Sequence, residues 1–285
     1  MQSGTSGLAR RVIVTADDFG LSPAVNEAVE QAHRNGILTS ASLMVAAPAA
    51  ADAIQRARIL PSLRVGLHLV LVDGPAVLPR STIPDLVDDN GLFPRDQLRL
   101  GLRYTRPGTI RRQLAAEIRA QFAAFAATGL PLDHADAHKH MHLHPVVGAL
   151  MIRIGREFGL RTIRVPAEPP AILRACGERP GLAAAAMHRW TSLLRWQARR
   201  AGLSAPDQVF GIAWSGHVTA DRLRRLAAHL PAGRSEIYLH PAVERDATLQ
   251  RLMPDYDHVG ELRALLDPEL RPLLRAAPLP AAPPQ

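Results

Sequence analysis

The stretch TADDFG, residues 15 to 20, sets two carboxylates side by side at the end of the apolar run RVIVTA. Further along, His68 stands in VGLHL, Asp136 and His138 in DHADAHKHMHLHP, Arg164 and Glu168 in RTIRVPAE, and His240 in SEIYLHP. Each alone has an ordinary structural explanation: adjacent aspartates before Phe-Gly can cap a turn, and a histidine among apolar neighbours can be a satisfied core residue. The cluster His134, His138, His140, His142 and His144 resists that explanation. Alternate positions of an extended strand share a face, and several imidazoles buried together need partners. A metal ion is the economical partner. With one cysteine, Cys176, the chain can form neither an internal disulfide nor a thiolate cluster, so His, Asp or Glu must supply the ligands. A carboxylate and two imidazoles from three strand ends suit a borderline divalent cation and leave positions open for water and substrate. The second aspartate then has a purpose, since one acid can bind metal while its neighbour takes a proton from water. Phe19 can wall such a site, and Gly20 lets the chain turn sharply away.

These groups need elements to bring them together. Strand-like runs alternate with helical stretches: RVIVTA, TSASLMVA, LRVGLHLVL, LDHADAH, RTIRVP, QVFGIA and SEIYLH, with helices over 109 to 127, 145 to 157 and 219 to 229. Ser22 as N-cap, Pro23 at the first helical position and Gly36 as the stop frame the first helix. Regular βα alternation predicts an α/β fold with a parallel sheet, closed or nearly closed as an irregular (β/α) barrel of about seven strands. In that architecture the carboxyl ends of all strands open onto one face, which gathers the residues above into a single site. Residues 1 to 270 read as one domain interrupted by large loops at about 72 to 106 and 167 to 207, followed by a Pro- and Ala-rich tail, 271 to 285, expected to be disordered.

The order of TADDFG, NEAV, SLMV, VGLHL, DAHKHMHLHP, RVPAE and LHP over residues 11 to 245 resembles the YdjC-like carbohydrate deacetylases, and among them the hopanoid-biosynthesis-associated (HpnK-type) enzymes. The resemblance implies a polysaccharide-deacetylase-like barrel holding one divalent metal, zinc first, with Mg, Mn, Co or Ni also compatible. It implies Asp18, His68 and His138 as ligands, Asp17 as general base and His240 as general acid. Arg164 and Glu168 would hold the sugar or orient Asp17. Where the family often reads Asp-Ser-His-His-His, this chain has Asp136, Ala137, His138, Lys139 and His140, so His140 stands as a substitute ligand or substrate contact. The implied reaction removes acetyl from an N-acetylglucosamine-type sugar, lipid-linked as an N-acetylglucosaminyl hopanoid. Soluble N-acetylated oligosaccharides, or metal and sugar binding without catalysis, are the alternatives. A glycoside hydrolase would leave the histidines unexplained.

The net charge of +8 and pI near 10.9 come almost wholly from arginine, Lys139 being the only lysine. Scattered arginines and an aromatic content of 4% argue compositional bias rather than nucleic-acid binding. No run reaches bilayer-spanning length, and the N-terminal stretch lacks the apolar core of a signal peptide, so the expected location is cytoplasmic. MHRWTSLLRWQARRAGL, residues 187 to 203, is amphipathic if helical. Trp190, Leu194 and Arg199 are its candidates for contact with an anionic membrane, which a lipid-linked substrate would require, and packing on the barrel is the other use of its apolar side.

Overall fold

A computed structural model describes residues 10–179 and 182–274, with the side chains of 182–189 left out of the description. Six parallel strands form one sheet in the order β4-β3-β2-β1-β6-β5. They are β1 (Arg10–Phe19), β2 (Ser40–Leu43), β3 (Arg64–Leu69), β4 (Ala135–Ala137), β5 (Gln208–Phe210) and β6 (Gly233–Leu239). The sheet curls into a half-barrel and does not close as a seven-stranded barrel. The seventh expected strand, RTIRVP, makes only isolated bridges, Ile163 with Ala135 and Thr162 with Ser204. Its continuation, Pro166 followed by Pro169, cannot donate ladder hydrogen bonds, so pairing stops.

The central strands are buried along almost their whole length, as a parallel sheet covered by helices requires. Helix α1 (Pro23–Asn35) begins where expected: the Ser22 hydroxyl accepts from the Val25 N–H, and Gly36 follows its end. Helices α2 (Ala50–Arg58), α3 (Gln97–Tyr104), α4 (Thr109–Ala127), α5 (Pro145–Glu157), α6 (Pro170–Ala175) and α7 (Leu182–Arg200) follow in order. The chain continues with α8 (Ala220–His229), α9 (Ala247–Leu252), α10 (His258–Leu266) and α11 (Leu270–Leu274). The first large loop is folded on the core, burying Ile83, Leu86 and Phe93 and carrying α3. The second carries α6 and α7. The expected tail opens with α11, whose Leu274 is buried, while 275–285 lie outside the described residues. No described helix is long and apolar enough to cross a membrane.

Candidate metal centre

Neighbouring residues of a strand point to opposite faces, so Asp17 and Asp18 could not both enter one site from a regular strand. A register shift between Ala16 and Phe19 resolves this. The bulge carries Asp18 at φ +62, a left-handed conformation that costs a residue with a Cβ about 1 kcal/mol or more. Both carboxylates are thereby buried in one cluster. The turn behind them is pinned by Asn26 of α1, whose Oδ1 accepts from Gly20 N–H and whose Nδ2 donates to the Ala49 carbonyl and to Asp52.

Asp18 Oδ1 lies 3.1 Å from His138 Nδ1 and 3.3 Å from His68 Nε2, and its Oδ2 is buried with no partner. The ligand atoms of these three residues all fall within 4.8 Å of one another. Burial pushes the Asp18 carboxyl up, but His138 and His68 outweigh it and hold it well below the usual carboxylate range. His68 Nδ1 sits 2.8 Å from Asp136 Oδ1, the arrangement that fixes a ligating imidazole's tautomer and leaves Nε2 for the metal. Burial alone would depress His68, yet Asp136 and Asp18 raise it to about 10. The site therefore demands positive charge between Asp18 and Asp136, and a divalent cation would take the place of that proton. An orphaned carboxylate oxygen and two converging imidazoles fit such an ion, and the donor set does not fix its identity.

Asp17 faces a different neighbour. Arg164, without exposed side-chain surface, donates to both Asp17 oxygens at 2.6 and 2.8 Å and reaches Asp136 Oδ2 at 2.6 Å and Glu236 Oε1 at 2.8 Å. Asp17, His68 and Asp136 also have converging ligand atoms, but Arg164 already supplies the cation that neutralises the two carboxylates. Arg164 is itself buried, with its guanidinium taken up by the carboxylates of Asp17, Asp136 and Glu236. The Glu168 carboxylate accepts from the N–H groups of Gly211, Ile212 and Ala213, fixing the loop after β5 rather than touching Asp17. Phe19 has no exposed surface and belongs to the hydrophobic core.

The histidine-rich segment is not extended as the sequence suggested. From His138 to Leu143 it is a 3-10 turn with Lys139 and His140 in left-handed conformations, φ +49 and +54. The imidazoles consequently fan out rather than sharing a face. His138 goes to Asp18, His140 Nε2 lies 3.0 Å from the Tyr238 hydroxyl, His142 Nε2 lies 3.0 Å from the Arg164 carbonyl, and the His144 ring meets Tyr104 edge-on. Lys139 pairs with Asp73 at 2.6 Å, tying the first large loop to this turn.

His240 closes the site from β6. Glu261 accepts its backbone N–H, and His258 Nδ1 lies 2.7 Å from its carbonyl. Its ring stands between those of Tyr238 and Tyr256, with centroids 5.7 and 5.1 Å away, and its buried Nδ1 has no partner. Burial pushes the imidazole down, against the upward pull of Asp18 and Asp17, so it rests neutral. Sequence reasoning assigned no role to Asp136, Glu236, Tyr238, Tyr256 or Glu261. Asp136 stood in the histidine cluster as a visible signal, whereas the others come from β6, from the turn before α10 and from α10 itself, whose approach to the site depends on the tertiary fold.

Leu194, expected at a membrane, is 1% exposed and packs beside Gly148 of α5. Trp190 is 54% exposed and Arg199 is exposed. The side chain of Met187, which opens this stretch, lies outside the described residues.

The half-barrel with His and Asp gathered at its strand ends meets a family already known. A model of the YdjC-like proteins matches residues 11–276, and the chain belongs to that family. It is 32% identical over 92% of both chains to a Geobacillus stearothermophilus protein named carbohydrate deacetylase. A Brevibacillus brevis protein of the same name is 38% identical over 56% of this chain and 59% of its own length. Among solved structures, an Enterococcus faecalis protein described as acting in cellobiose-phosphate cleavage superposes with a TM-score of 0.73 at 23% identity, covering 93% of this chain and 94% of its own. That likeness establishes a shared fold.

Proposed function

We propose that the chain is a metal-dependent carbohydrate N-deacetylase, releasing acetate and a free amine from an N-acetylglucosamine-type sugar. The observation that carries this reading is the division of the aspartate pair: Asp18 converges with His68 and His138, while Asp17 is held off that centre by Arg164. Relatives named carbohydrate deacetylases support the substrate class. Asp18, His68 and His138 would hold the ion, zinc first among the candidates, which supplies Lewis-acid polarisation of the amide carbonyl and a lowered pKa for water. Asp17, fixed in two directions by Arg164, keeps a lone pair on each oxygen with which to take the proton from the attacking water. His240, whose buried Nδ1 has no other partner, is the group that would pass a proton to the departing amine once it has taken one up. Tyr238 and Tyr256 hold the His240 ring for that transfer.

The motif order favours a lipid-linked substrate of the N-acetylglucosaminyl hopanoid kind, met from the cytoplasmic side at the membrane surface, over a soluble oligosaccharide. Incubating metal-loaded protein with soluble N-acetylglucosamine oligomers and with a lipid-linked N-acetylglucosamine, and following acetate and free amine, tests both levels. We expect release that a chelator abolishes and a divalent cation restores, with preference for the lipid-linked sugar. Full activity in protein shown metal-free by elemental analysis overturns the mechanism. Reducing-end sugar without acetate overturns the reaction class.

A further inference from the structure

We propose that the exposed faces of α3 and α7 form a docking surface for an anionic lipid bilayer. Among the described residues the large hydrophobics left exposed are Ile59, Leu92, Leu98, Leu102, Trp190, Leu193, Trp196 and Leu273. Five of the eight lie on these two helices, and such concentration distinguishes a contact surface from the scattered apolar residues any surface carries. The exposure is not marginal. Leu98 and Leu102 are 83% and 73% exposed one helical turn apart, and Trp190 and Trp196 are each 54% exposed with Leu193 between them.

Both helices flank the same piece of chain at the mouth of the site. Trp190 Nε1 donates to the Leu143 carbonyl, the Tyr104 ring of α3 meets His144, and Gln97 donates to the Lys139 carbonyl. Contact there would hold the strand-end opening against whatever the helices rest on.

Charge selects the occupant. Residues 97–106 and 190–206 contain no acidic side chain. Arg99, Arg106, Arg199 and Arg200 are exposed, and none is ion-paired among the described residues. Arg200 lies 5.1 Å over the Trp196 ring, which puts a cation and an amphipathic aromatic at one level. A second copy would bring like charges together. Nucleic acid would use the arginines but leave Leu98 and Leu102 with nothing to contact. An anionic bilayer uses both, with apolar tips at the acyl boundary, tryptophans at headgroup level and guanidinium groups on lipid phosphates.

The test is co-sedimentation of the full chain with vesicles of phosphatidylcholine alone and of phosphatidylcholine mixed with phosphatidylglycerol, at low and high salt. Tryptophan emission is read in parallel. Trp214 is the third tryptophan and is 2% exposed, so a blue shift reports on Trp190 and Trp196. We expect binding and a blue shift with the anionic vesicles, both weakened by salt. Leu98→Glu with Leu102→Glu, and separately Leu193→Glu with Trp196→Glu, should each lower vesicle partition about tenfold or more. Ile59→Glu, at an exposed residue just past the end of α2, should leave it unchanged, with circular dichroism confirming that all variants fold. Unchanged partition in both double variants, equal binding to uncharged vesicles, dimerisation without vesicle binding, or DNA binding without vesicle binding would each overturn the proposal. None of these outcomes depends on acetate release from soluble sugar, so failure here and failure of the deacetylase reading are separable.

Discussion

At the scale of single residues, the paired aspartates show how identical chemistry is divided by backbone geometry. The bulge at Ala16–Phe19 turns both carboxylates inward, and their neighbours assign the roles: two imidazoles for Asp18, one guanidinium for Asp17. Asp17→Asn should keep metal content near that of the parent while turnover falls about a hundredfold or more. Asp18→Asn should lose bound metal as well, with its local backbone kept, because asparagine accepts the left-handed conformation at φ +62 more readily. Elemental analysis, turnover and urea unfolding of the two variants check this, and equal metal with equal activity would dissolve the division of labour. The pair was legible in the sequence because two acids at a strand end ask for an explanation, and His68 and His138 joined them through their strand-end positions. Glu236 was not, because a carboxylate inside SEIYLH reads as an outward-facing residue until Arg164 is seen to need it.

Among elements, six of the seven runs read as strands are strands, since β-branched residues bounded by turn residues carry a local signal. The seventh failed at the prolines following Val165 and Glu168, and with it the closed barrel. The histidine segment failed differently. Nothing local announces that Lys139 and His140 take left-handed conformations; the Asp73 ion pair and the Tyr238 hydroxyl that receive their side chains come from distant chain. The loop after β5 has the same long-range character. Gly216, at φ +78, lies against the face of Tyr256, whose ring flanks His240 and whose hydroxyl bonds Ser215. A methyl group at Gly216 would collide with that ring. Gly216→Ala should therefore cost about 1 kcal/mol or more in stability and lower kcat through displacement of Tyr256 from His240. Metal content should be untouched, because the proposed ligands come from β1, β3 and the turn after β4. Loss of metal along with activity would show that the disturbance had spread beyond the β6 side of the site.

For the whole molecule, the same interior that gathers these groups makes it sensitive to acid. His142 is fully buried, and burial pushes its imidazole down to about 4, Asp136 opposing and Arg164 adding to the effect. Burial also depresses His144 and His258. A histidine lowered in the fold binds its proton more readily in the unfolded chain. The stability it contributes is thus present above about pH 6.5 and is lost as the pH falls toward 4. Glu168 acts with the opposite sign. Burial raises it to about 6 although three N–H groups pull it down, so its contribution is full below its unfolded value and declines as the pH rises through 6. For His142 alone the acid loss amounts to about 3 kcal/mol. Urea unfolding at pH 6.5 and pH 4, in chelator so that metal release from His68 and His138 does not enter, should show a large drop in stability for the parent chain. In His142→Asn that drop should shrink by about 3 kcal/mol, since asparagine can still donate to the Arg164 carbonyl but has no proton to gain. An undiminished drop in the variant would mean that acid opens the molecule elsewhere and that His142 meets solvent before the fold gives way.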